Sequence, residues 1–446
     1  MDPPAHSSHI LWYEAELICR YFLEYVNRGD VSLNIKRMEP VGDFRRLCDT
    51  VGQLEFLIVC DRNDRLFDLL YRCPAVAKPI SQTNDGLIVQ LVRSIPPKTE
   101  FHVLVPETTT PPFHGINVHF HTVAESNFGT ALWKRTGSAK HLRQMEKCSA
   151  EPFSSGFPEE VDFFHSLGLS WIPPELREGR QEVEWAIDHS LPDLIVLEDL
   201  KGDLHSHSDR TDGQDDLKSM AREAQKHGLE YIAVTDHTKR VAQCNGMNEK
   251  QLLRQWSQFD KIQAEIDKEA GEAALKPIRL LKRVEVDILE SGEMDLADEV
   301  LAQADWVVAS LHFGSSQPRS RLTRRMLNAI ENPNVCVIAH PTGRFLPDYP
   351  PMDVDWEQVF AAAAQYGCFL ELNSHPKRLD LDDAGCIRAK ELGIKIVISS
   401  DAHSADALSV TRYGINQARR AGLQADDVAN TRSWAELKNI CRKSEL

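Results

Sequence analysis

The residues of this chain best suited to chemistry are histidines and carboxylates at the ends of short apolar segments in its carboxyl-terminal half. Two of these segments end in spaced pairs, His205-Ser206-His207 and Asp401-Ala402-His403. Residues i and i+2 of a strand point to the same side, so each pair aims two side chains at one centre. Nine candidate metal ligands follow from these segment ends, namely His205, His207, Asp212, His237, Glu285, His312, His340, Asp401 and His403.

Imidazole and carboxylate ligands suit zinc, manganese or iron, and nine of them are too many for one ion. The sequence therefore predicts a cluster of two or three divalent metal ions. Such a cluster lowers the pKa of bound water and neutralises phosphate oxygens, which favours hydrolysis of phosphate esters. Metal-assisted amide hydrolysis stays chemically open. A lone histidine such as His312 is more often structural, and it is the recurrence of histidine at strand ends that indicates metal.

Three arginines follow segments that carry or neighbour these ligands. We predict that Arg240, Arg344 and Arg378 bind phosphate, because a guanidinium matches phosphate oxygens in a bidentate manner. A solvated surface position explains each of them equally well. Asp236 directly precedes a candidate ligand, and we expect it to orient a neighbour rather than to bind metal.

The elements that must position these residues are short apolar runs alternating with helical patterns from about residue 200 onward. Seven such runs are visible, from GDLHSH to IKIVISSDAH. Buried strands alternating with helices are typical of a parallel sheet, here predicted to close as a (β/α)7 or (β/α)8 barrel. Barrel enzymes place their chemistry at the carboxyl ends of the strands, where the candidate ligands stand.

The first 195 or so residues follow a different pattern, with a helical opening at 11–26 and helical character again at 130–148. Between them the sequence predicts strands at 54–61, 85–92, 99–105 and 116–123, and a proline-rich loop at 106–115. A chain of 446 residues is long enough for two or three domains.

Composition limits the partners of the protein. Acidic residues outnumber basic ones by 67 to 51, giving a formal charge of −16, which weakens nucleic-acid binding without excluding it. No apolar run is long enough to span a membrane, and no secretory signal precedes the first domain. The ten cysteines form no CxxC pair, so we expect reduced thiols in a cytoplasmic protein.

The segments DLHSHSDRTDG, AVTDHT, VEVDIL, ASLH, AHPTGR and SSDAH resemble, in order, the motifs of the PHP (polymerase and histidinol phosphatase) metallohydrolase family. The similarity is greatest to the PHP domain of bacterial family X DNA polymerases and covers roughly residues 35–440. It implies a distorted (β/α)7 barrel, three metal ions bound by the nine residues named above, and manganese- or zinc-dependent 3′–5′ exonuclease and 3′-end phosphoesterase activity. Arg283 stands where this family usually has glycine, so a side chain there would crowd the site or add positive charge to it.

The resemblance also implies three domains: a degenerate nucleotidyltransferase-like palm at 1–123, a thumb-like segment and linker at 124–195, and the PHP barrel at 196–446. The palm positions of the polymerase motifs read Gly42-Asp43, Gln53-Leu54-Glu55 and His119 in this chain. Two-metal nucleotidyl transfer needs clamping carboxylates, so we expect polymerase activity to be lost. A new metal site from His114, His119 and His121 is not favoured, because strand alternation alone places two of them on one face.

Four functions remain open at this point. The leading one is a metal-dependent nuclease or phosphoesterase acting on DNA ends, and the alternative is a small-molecule phosphomonoesterase of histidinol-phosphatase type. A functioning polymerase with proofreading and an inert binding module are the other two, disfavoured by the palm substitutions and by the complete ligand set respectively. The predicted partner is accordingly a DNA end or a phosphorylated small molecule, with no membrane.

Overall fold

A computed structural model describes residues 9–29, 33–92, 115–148, 156–272 and 275–441. The chain divides into two compact units, Met1–Pro192 and Asp193–Leu446. The subdivision of the first unit into palm and thumb stays a prediction. Along the described ranges, no helix is long and apolar enough to cross a membrane.

The first unit combines a mixed sheet with helices. Its strands are β1 (Ile10–Leu11), β2 (Arg37–Val41), β3 (Thr50–Val51), β4 (Leu54–Val59), β5 (Val76–Gln82), β6 (Gly86–Leu91) and β7 (Asn117–Thr122). Its helices are α1 (Trp12–Arg28), α2 (Gly42–Arg45), α3 (Asn63–Tyr71), α4 (Phe128–Thr136), α5 (Ala139–Met145), α6 (Glu160–Ser166) and α7 (Glu182–Ile187). The five-stranded sheet has the order β2-β4-β7-β6-β5, with β4 and β7 parallel and the other neighbours antiparallel.

Side-chain alternation in the central strands explains how this sheet packs. Phe56 of β4 and Phe120 of β7 stack with ring centroids 5.3 Å apart, and Phe22 of α1 covers both. On the opposite face, Leu57 and Val59 pack against α4 in a smaller apolar cluster. By strand alternation, the polar residues Glu55 of β4 and His119 and His121 of β7 lie on this same face, outside the apolar cluster.

The predicted elements of this unit are largely present. Strands β4, β6 and β7 lie at the predicted positions, and the helical stretch at 130–148 is two helices, broken where Ser138 accepts a hydrogen bond from His141 N and caps α5. The predicted strand at 99–105 and almost all of the predicted loop at 106–115 lie outside the described residues. Strands β2 and β5 were not predicted, because both consist mostly of exposed or half-buried residues and show no apolar alternation.

The second unit alternates strands and helices. Its strands are β8 (Gly202–Ser206), β9 (Tyr231–Val234), β10 (Arg279–Leu280), β11 (Arg283–Asp287), β12 (Trp306–Ser310), β13 (Val337–Ile338), β14 (Phe369–Asn373) and β15 (Ile396–Ser399). Its helices are α8 (Leu217–Lys226), α9 (Glu249–Trp256), α10 (Phe259–Glu272), α11 (Asp298–Leu301), α12 (Arg319–Glu331), α13 (Trp356–Tyr366), α14 (Asp383–Glu391), α15 (Thr411–Arg420) and α16 (Trp434–Ile440).

These strands form two parallel sheets, ordered β10-β9-β8 and β11-β12-β13-β14-β15. Nearly all of their residues are buried, which explains their continuous apolar sequences, since helices cover a parallel sheet. Isolated parallel bridges link the sheets at His237–Glu285 and at Ser206–Ala402. The predicted α/β class is confirmed. A single closed barrel is not, because the strand ladder is interrupted at both of these seams.

Candidate metal centre

Backbone hydrogen bonds between the first and last strands of the second unit bring the two spaced ligand pairs together. His207 N donates to Ala402 O at 2.7 Å, and Asp401 N donates to His205 O at 2.8 Å. The carboxyl ends of β8 and β15 are thereby locked side by side. As a result, His207 Nε2 lies 3.1 Å from Asp401 Oδ1.

Glu285 of β11 lies within 4 Å of five other candidate ligands. Its Oε2 is 2.8 Å from His237 Nδ1 and 3.5 Å from His205 Nε2. Its Oε1 is 3.3 Å from His340 Nε2 and 3.5 Å from His312 Nε2. The Glu285 side chain is 0% exposed, so this carboxylate is placed to serve neighbours on both sides.

Asp212, on the loop after β8, marks the more open side of the cluster. Its Oδ2 lies 3.3 Å from His403 Nε2 and 3.4 Å from His237 Nε2, and its Oδ1 lies 3.7 Å from His207 Nδ1. The His403 side chain is 40% exposed, in contrast to the buried rings around Glu285. A ligand from solvent would meet His403 and Asp212 first.

All nine predicted residues fall into overlapping groups whose ligand atoms lie within 4.8 Å of one another. In the described part of this unit, the groups are His207/Asp212/His237/His403, His205/Glu285/His340, His205/His207/Asp401 and His237/Glu285/His312. Glu285 and His205 each belong to two of these groups. A cluster of several metal ions requires such shared residues, because neighbouring ions lie close to the same side chains. The structure thus gathers every predicted ligand, and metal binding by them stays a prediction.

Unsatisfied polar atoms test whether metal ions fit this centre. His205 Nε2, His207 Nδ1, Asp212 Oδ1, His237 Nδ1 and both carboxylate oxygens of Glu285 are buried and have no hydrogen-bond partner among the described residues. Buried polar atoms without partners are rare, and each needs an explanation. Divalent cations supply one, since every atom of this set is a good ligand for zinc, manganese or iron.

The electrostatics of the centre agree with a cation-binding role. Burial opposes the charged form of His237, but Glu285 and Asp212 outweigh it and raise the pKa of the ring to about 10. Burial, together with the rings of His237 and His403, lowers the pKa of His207 to about 4. Burial would raise the pKa of Glu285, yet the surrounding imidazoles hold it well below its usual range. Protonated imidazoles therefore balance the negative charge of the ionised carboxylates here. Bound metal ions would supply this positive charge instead, and the protons would be released.

Two of the candidate ligands occupy strained backbone conformations. His340 has φ of 28° and Asp401 has φ of 54°, in the left-handed region that non-glycine residues rarely adopt. Such strain is retained where the surrounding structure fixes it and clusters at functional sites. Asp401 N is fixed by its bond to His205 O, and His340 N donates to Glu371 Oε2 at 2.6 Å.

Glu371 of β14 is a functional residue that sequence reasoning missed. Its Oε1 lies 2.7 Å from His205 Nδ1 and accepts from Ser399 Oγ at 2.8 Å. Its Oε2 accepts from His340 N and from Asn373 Nδ2. Glu371 therefore orients two ligands at once and leaves His205 Nε2 facing the centre. The available signal was a single carboxylate, preceded and followed by apolar residues, inside the buried strand FLELN.

Other ligands have comparable supports. His312 Nδ1 lies 3.0 Å from Asp287 Oδ1, and Asn373 Nδ2 donates to Asp401 Oδ2 at 2.9 Å. Asp236 accepts from Ser208 N at 2.8 Å and from the hydroxyls of Ser208 and Thr211, contacts that agree with the orienting role predicted for it. Asp236 thereby shapes the loop that presents Asp212.

Arg283, two residues before Glu285, lies with its guanidinium beside Asp236 and Phe259. Its side chain is buried, its three guanidinium nitrogens have no hydrogen-bond partner among the described residues, and burial lowers its pKa to about 10. The guanidinium lies 4.7 Å from the Phe259 ring centroid, and Nη2 lies 4.0 Å from Asp236 Oδ2. The positive charge expected at this position is thus placed next to Asp236.

The three predicted phosphate-binding arginines differ in position. Arg378 Nε lies 3.5 Å from Asp401 Oδ2, at the edge of the centre. Arg344 is buried and donates from Nε to Arg378 O and from Nη2 to Leu379 O, so it holds the Arg378 loop. Arg240 pairs with Glu290 and stacks 4.1 Å from the Phe313 ring centroid. The Arg378 guanidinium is thus placed within 4 Å of a candidate ligand, Asp401.

Comparisons with known proteins agree with the sequence motifs. A family model described as the PHP domain matches residues 203–375. The DNA polymerase/3′–5′ exonuclease PolX of Bacillus subtilis (strain 168) is 32% identical over 427 residues, covering 92% of this chain and 70% of the relative. A probable phosphatase of Thermoanaerobacter sp. (strain X514) is 34% identical and covers 48% of this chain and 83% of its own length. A probable phosphatase of Syntrophotalea carbinolica is 28% identical over 51% of this chain and 90% of its own.

Proposed function

This chain belongs to the PolX family of bacterial family X DNA polymerases that carry a PHP domain, and on that premise we propose that it degrades or trims DNA from the 3′ end. The PHP domain and these relatives make it a hydrolase of phosphate esters. The proposed activity is that of a metal-dependent 3′–5′ exonuclease or 3′-end phosphodiesterase/phosphatase. The observation that supports it most is the gathering of nine candidate ligands in one centre, where both oxygens of the buried Glu285 carboxylate have no hydrogen-bond partner among the described residues.

In this proposal, two or three divalent ions are bound by His205, His207, Asp212, His237, Glu285, His312, His340, Asp401 and His403. When bound, such ions supply a water of lowered pKa and neutralise charge on phosphate oxygens. Glu371 and Asp287 fix the orientation of the ligand rings. Arg378, beside Asp401, offers a guanidinium to a non-bridging phosphate oxygen at the rim.

We further propose that the first unit has lost nucleotidyl transfer. At the three palm positions that correspond to the metal-binding carboxylates of the polymerase motifs, the side chains are Gln53, Glu55 and His119, which supply a single carboxylate. Arg135 lies 3.6 Å from that carboxylate, so its charge is already compensated. Two magnesium ions would find too few oxygen ligands here, because magnesium prefers carboxylates and phosphates.

The substrate is the open part of this proposal. The relative that spans both units is named a polymerase and exonuclease, which favours DNA. The relatives named probable phosphatases match about half of this chain, and the net charge of −16 opposes DNA binding. These two observations favour the alternative, a small-molecule phosphomonoesterase of histidinol-phosphatase type.

One comparison of substrates separates the candidates. The full chain, with manganese, is incubated with 3′-labelled and 5′-labelled single-stranded oligonucleotides, with p-nitrophenyl phosphate, and with a primed template and nucleotides. His205→Ala removes a candidate ligand. His227→Ala is the matched control, because this exposed histidine at the end of α8 lies outside the centre.

We expect stepwise shortening from the 3′ end, its loss in His205→Ala, its retention in His227→Ala, and no primer extension. Intact oligonucleotides with rapid p-nitrophenyl phosphate turnover would identify the small-molecule phosphatase instead. Primer extension would contradict the proposed loss of polymerase activity. Equal hydrolysis by wild type and His205→Ala would refute the assignment of the centre.

A further inference from the structure

A second cluster of ligand-type side chains lies in the first unit, on the sheet face opposite the aromatic core. The ligand atoms of Glu55, His119 and His121 lie within 4.8 Å of one another. His121 Nε2 is 2.8 Å from Glu55 Oε2, and Gln53 approaches His119 from the other side. All three ligand-type side chains are half-buried, so solvent reaches the cluster.

The sheet register fixes this arrangement. Strands β4 and β7 are parallel, and Glu55 pairs directly with His119, while His121 is two residues further along the same face. Strand β7 is hydrogen-bonded on both sides, to β4 and to β6. The intervening Phe56 and Phe120 are anchored in the core. The backbone positions of the three residues are therefore set before any ligand arrives, which lowers the entropic cost of binding one.

We propose that Glu55, His119 and His121 form a mononuclear binding site for a divalent transition-metal ion of the zinc class. Two imidazoles and one carboxylate are a ligand set that zinc accepts, with a further coordination position left for water or a substrate. The nitrogen ligands disfavour magnesium and calcium, which take oxygen ligands. This site is separate from the nine-ligand centre and does not rest on the proposed nuclease function.

Without a cation, His121 Nε2 cannot form good hydrogen bonds with both of its polar neighbours. His121 Nε2 faces Glu55 Oε2, an acceptor, at 2.8 Å and Arg135 Nη1, a donor, at 3.1 Å. If Nε2 carries a proton, it cannot accept from Arg135; if it carries none, it cannot donate to Glu55. Neither tautomer therefore satisfies both contacts. A cation between the ring nitrogen and Glu55 removes the conflict, with Arg135, whose side chain is 39% exposed, moving into solvent.

His119 presents a related mismatch. The Gln53 amide nitrogen lies 2.5 Å from Nδ1 and 2.8 Å from Nε2 of the same ring. A neutral imidazole has only one accepting nitrogen, so a single amide group cannot donate to both. If the Gln53 amide turns so that its oxygen accepts from one ring N–H, the other nitrogen is unprotonated and can bind metal, and the amide then orients the ring.

The test measures zinc stoichiometry on the full chain. Metal is removed with a chelator, and zinc is then titrated against a coloured indicator for wild type, His119→Ala/His121→Ala, and the control His165→Ala/His227→Ala, which removes two exposed histidines elsewhere. We expect the first double variant to bind one zinc ion fewer per chain than wild type, and the control to bind the same number. Cobalt titration should show one tetrahedral visible absorption band lost in parallel.

Single variants keep the test independent of folding defects. Glu55→Gln preserves shape and should weaken zinc binding at this site at least tenfold. Arg135→Ala removes a positive charge 3.6 Å from the carboxylate and should tighten binding by about fivefold or more. Unchanged zinc stoichiometry and affinity in Glu55→Gln, Arg135→Ala and the double histidine variant would overturn the proposal and leave a simple ion-pair network.

Discussion

Replacing Glu371 by glutamine should loosen metal binding without emptying the centre of ligands. Glu371 contacts His205 Nδ1 through one oxygen and accepts from His340 N through the other. Glutamine has nearly the same shape but only one accepting oxygen. Whichever way its amide turns, either the His205 ring or the His340 backbone N–H then faces an NH2 group in a fully buried place.

The size of the effect follows from this mismatch. A buried donor left without an acceptor costs about 1–3 kcal/mol. Loss of the outer partner of a metal-binding histidine typically lowers metal affinity or activity by about 10–100-fold, equivalent to roughly 1.4–2.7 kcal/mol. The second range lies within the first. We therefore expect the manganese concentration for half-maximal hydrolysis to rise about 10–100-fold.

Initial rates on a phosphodiester substrate, measured across a manganese titration, provide the assay, and chelator competition gives the metal affinity directly. Because all nine ligands remain, the rate at saturating manganese should return to within a few fold of wild type. Glu357→Gln on α13 is the matched control: its side chain is 73% exposed and pairs with Arg388 on the surface. This control should leave the titration unchanged.

Two results would refute the reasoning. If Glu371→Gln binds manganese as tightly as wild type, Glu371 does not orient the ligands. If affinity is unchanged but the rate at saturating metal falls more than about 100-fold, Glu371 acts on the reaction itself rather than through His205 and His340.

Four further outcomes are expected. Glu160→Gln should destabilise the first unit by about 3–5 kcal/mol in urea unfolding, because it leaves fully buried Arg177 without its carboxylate partner. Burial would raise the pKa of Glu160, but hydrogen bonds from Arg45 and Arg177 hold it at about 2, below its unfolded value of about 4.3. The stabilisation is therefore fully present above pH 4.3 and should vanish as the pH falls through about 2, which urea unfolding across this pH range would measure. Arg378→Ala should raise KM for a phosphodiester about tenfold with little change in Tm, whereas Arg344→Ala should lower Tm, since Arg344 donates to backbone carbonyls. Chelation of metal should lower the calorimetric Tm of the second unit, because ions that bind only the folded state stabilise it.

Periodicity and chain order made much of the second unit predictable. Buried parallel strands have continuous apolar sequences, and their carboxyl ends meet on one side of a sheet, so residues such as His237 and His403 could be assigned to one centre without coordinates. Closure of the barrel was not predictable in this way. It depends on hydrogen bonds at two seams, where the structure has isolated bridges instead of ladders.

Contacts between distant segments set the limit of sequence reasoning. Glu371 is 166 residues from His205, and nothing in its local sequence shows which ring it orients. The sequence favoured Arg344 and Arg378 equally as phosphate-binding residues. In the structure, Arg344 donates to a backbone carbonyl, whereas Arg378 lies beside Asp401. Both distinctions depend on where a side chain points after packing.

The cluster in the first unit shows the same limit from the other direction. Alternation placed His119 and His121 on one face, and the third histidine considered with them, His114, lies outside the described residues. The missing partner is Glu55, 66 positions before His121, which arrives only because β4 and β7 pair directly and skip the two strands between them. A local pattern can therefore predict two possible ligands of a site. Whether a third ligand lies close enough to complete the site depends on the sheet topology.

The two clusters differ in how their negative charge is compensated, and this difference bears on their functions. Around Glu285 the compensating groups are mainly imidazoles, which release their protons to solvent when metal ions bind. Around Glu55 the nearest compensating group is also an imidazole, that of His121, but a guanidinium that cannot deprotonate lies 3.6 Å from the same carboxylate and must move when a cation binds. The first arrangement favours permanent, multinuclear metal binding suited to catalysis. The second favours a single, weaker and displaceable ion, which makes Arg135 the residue that sets its affinity.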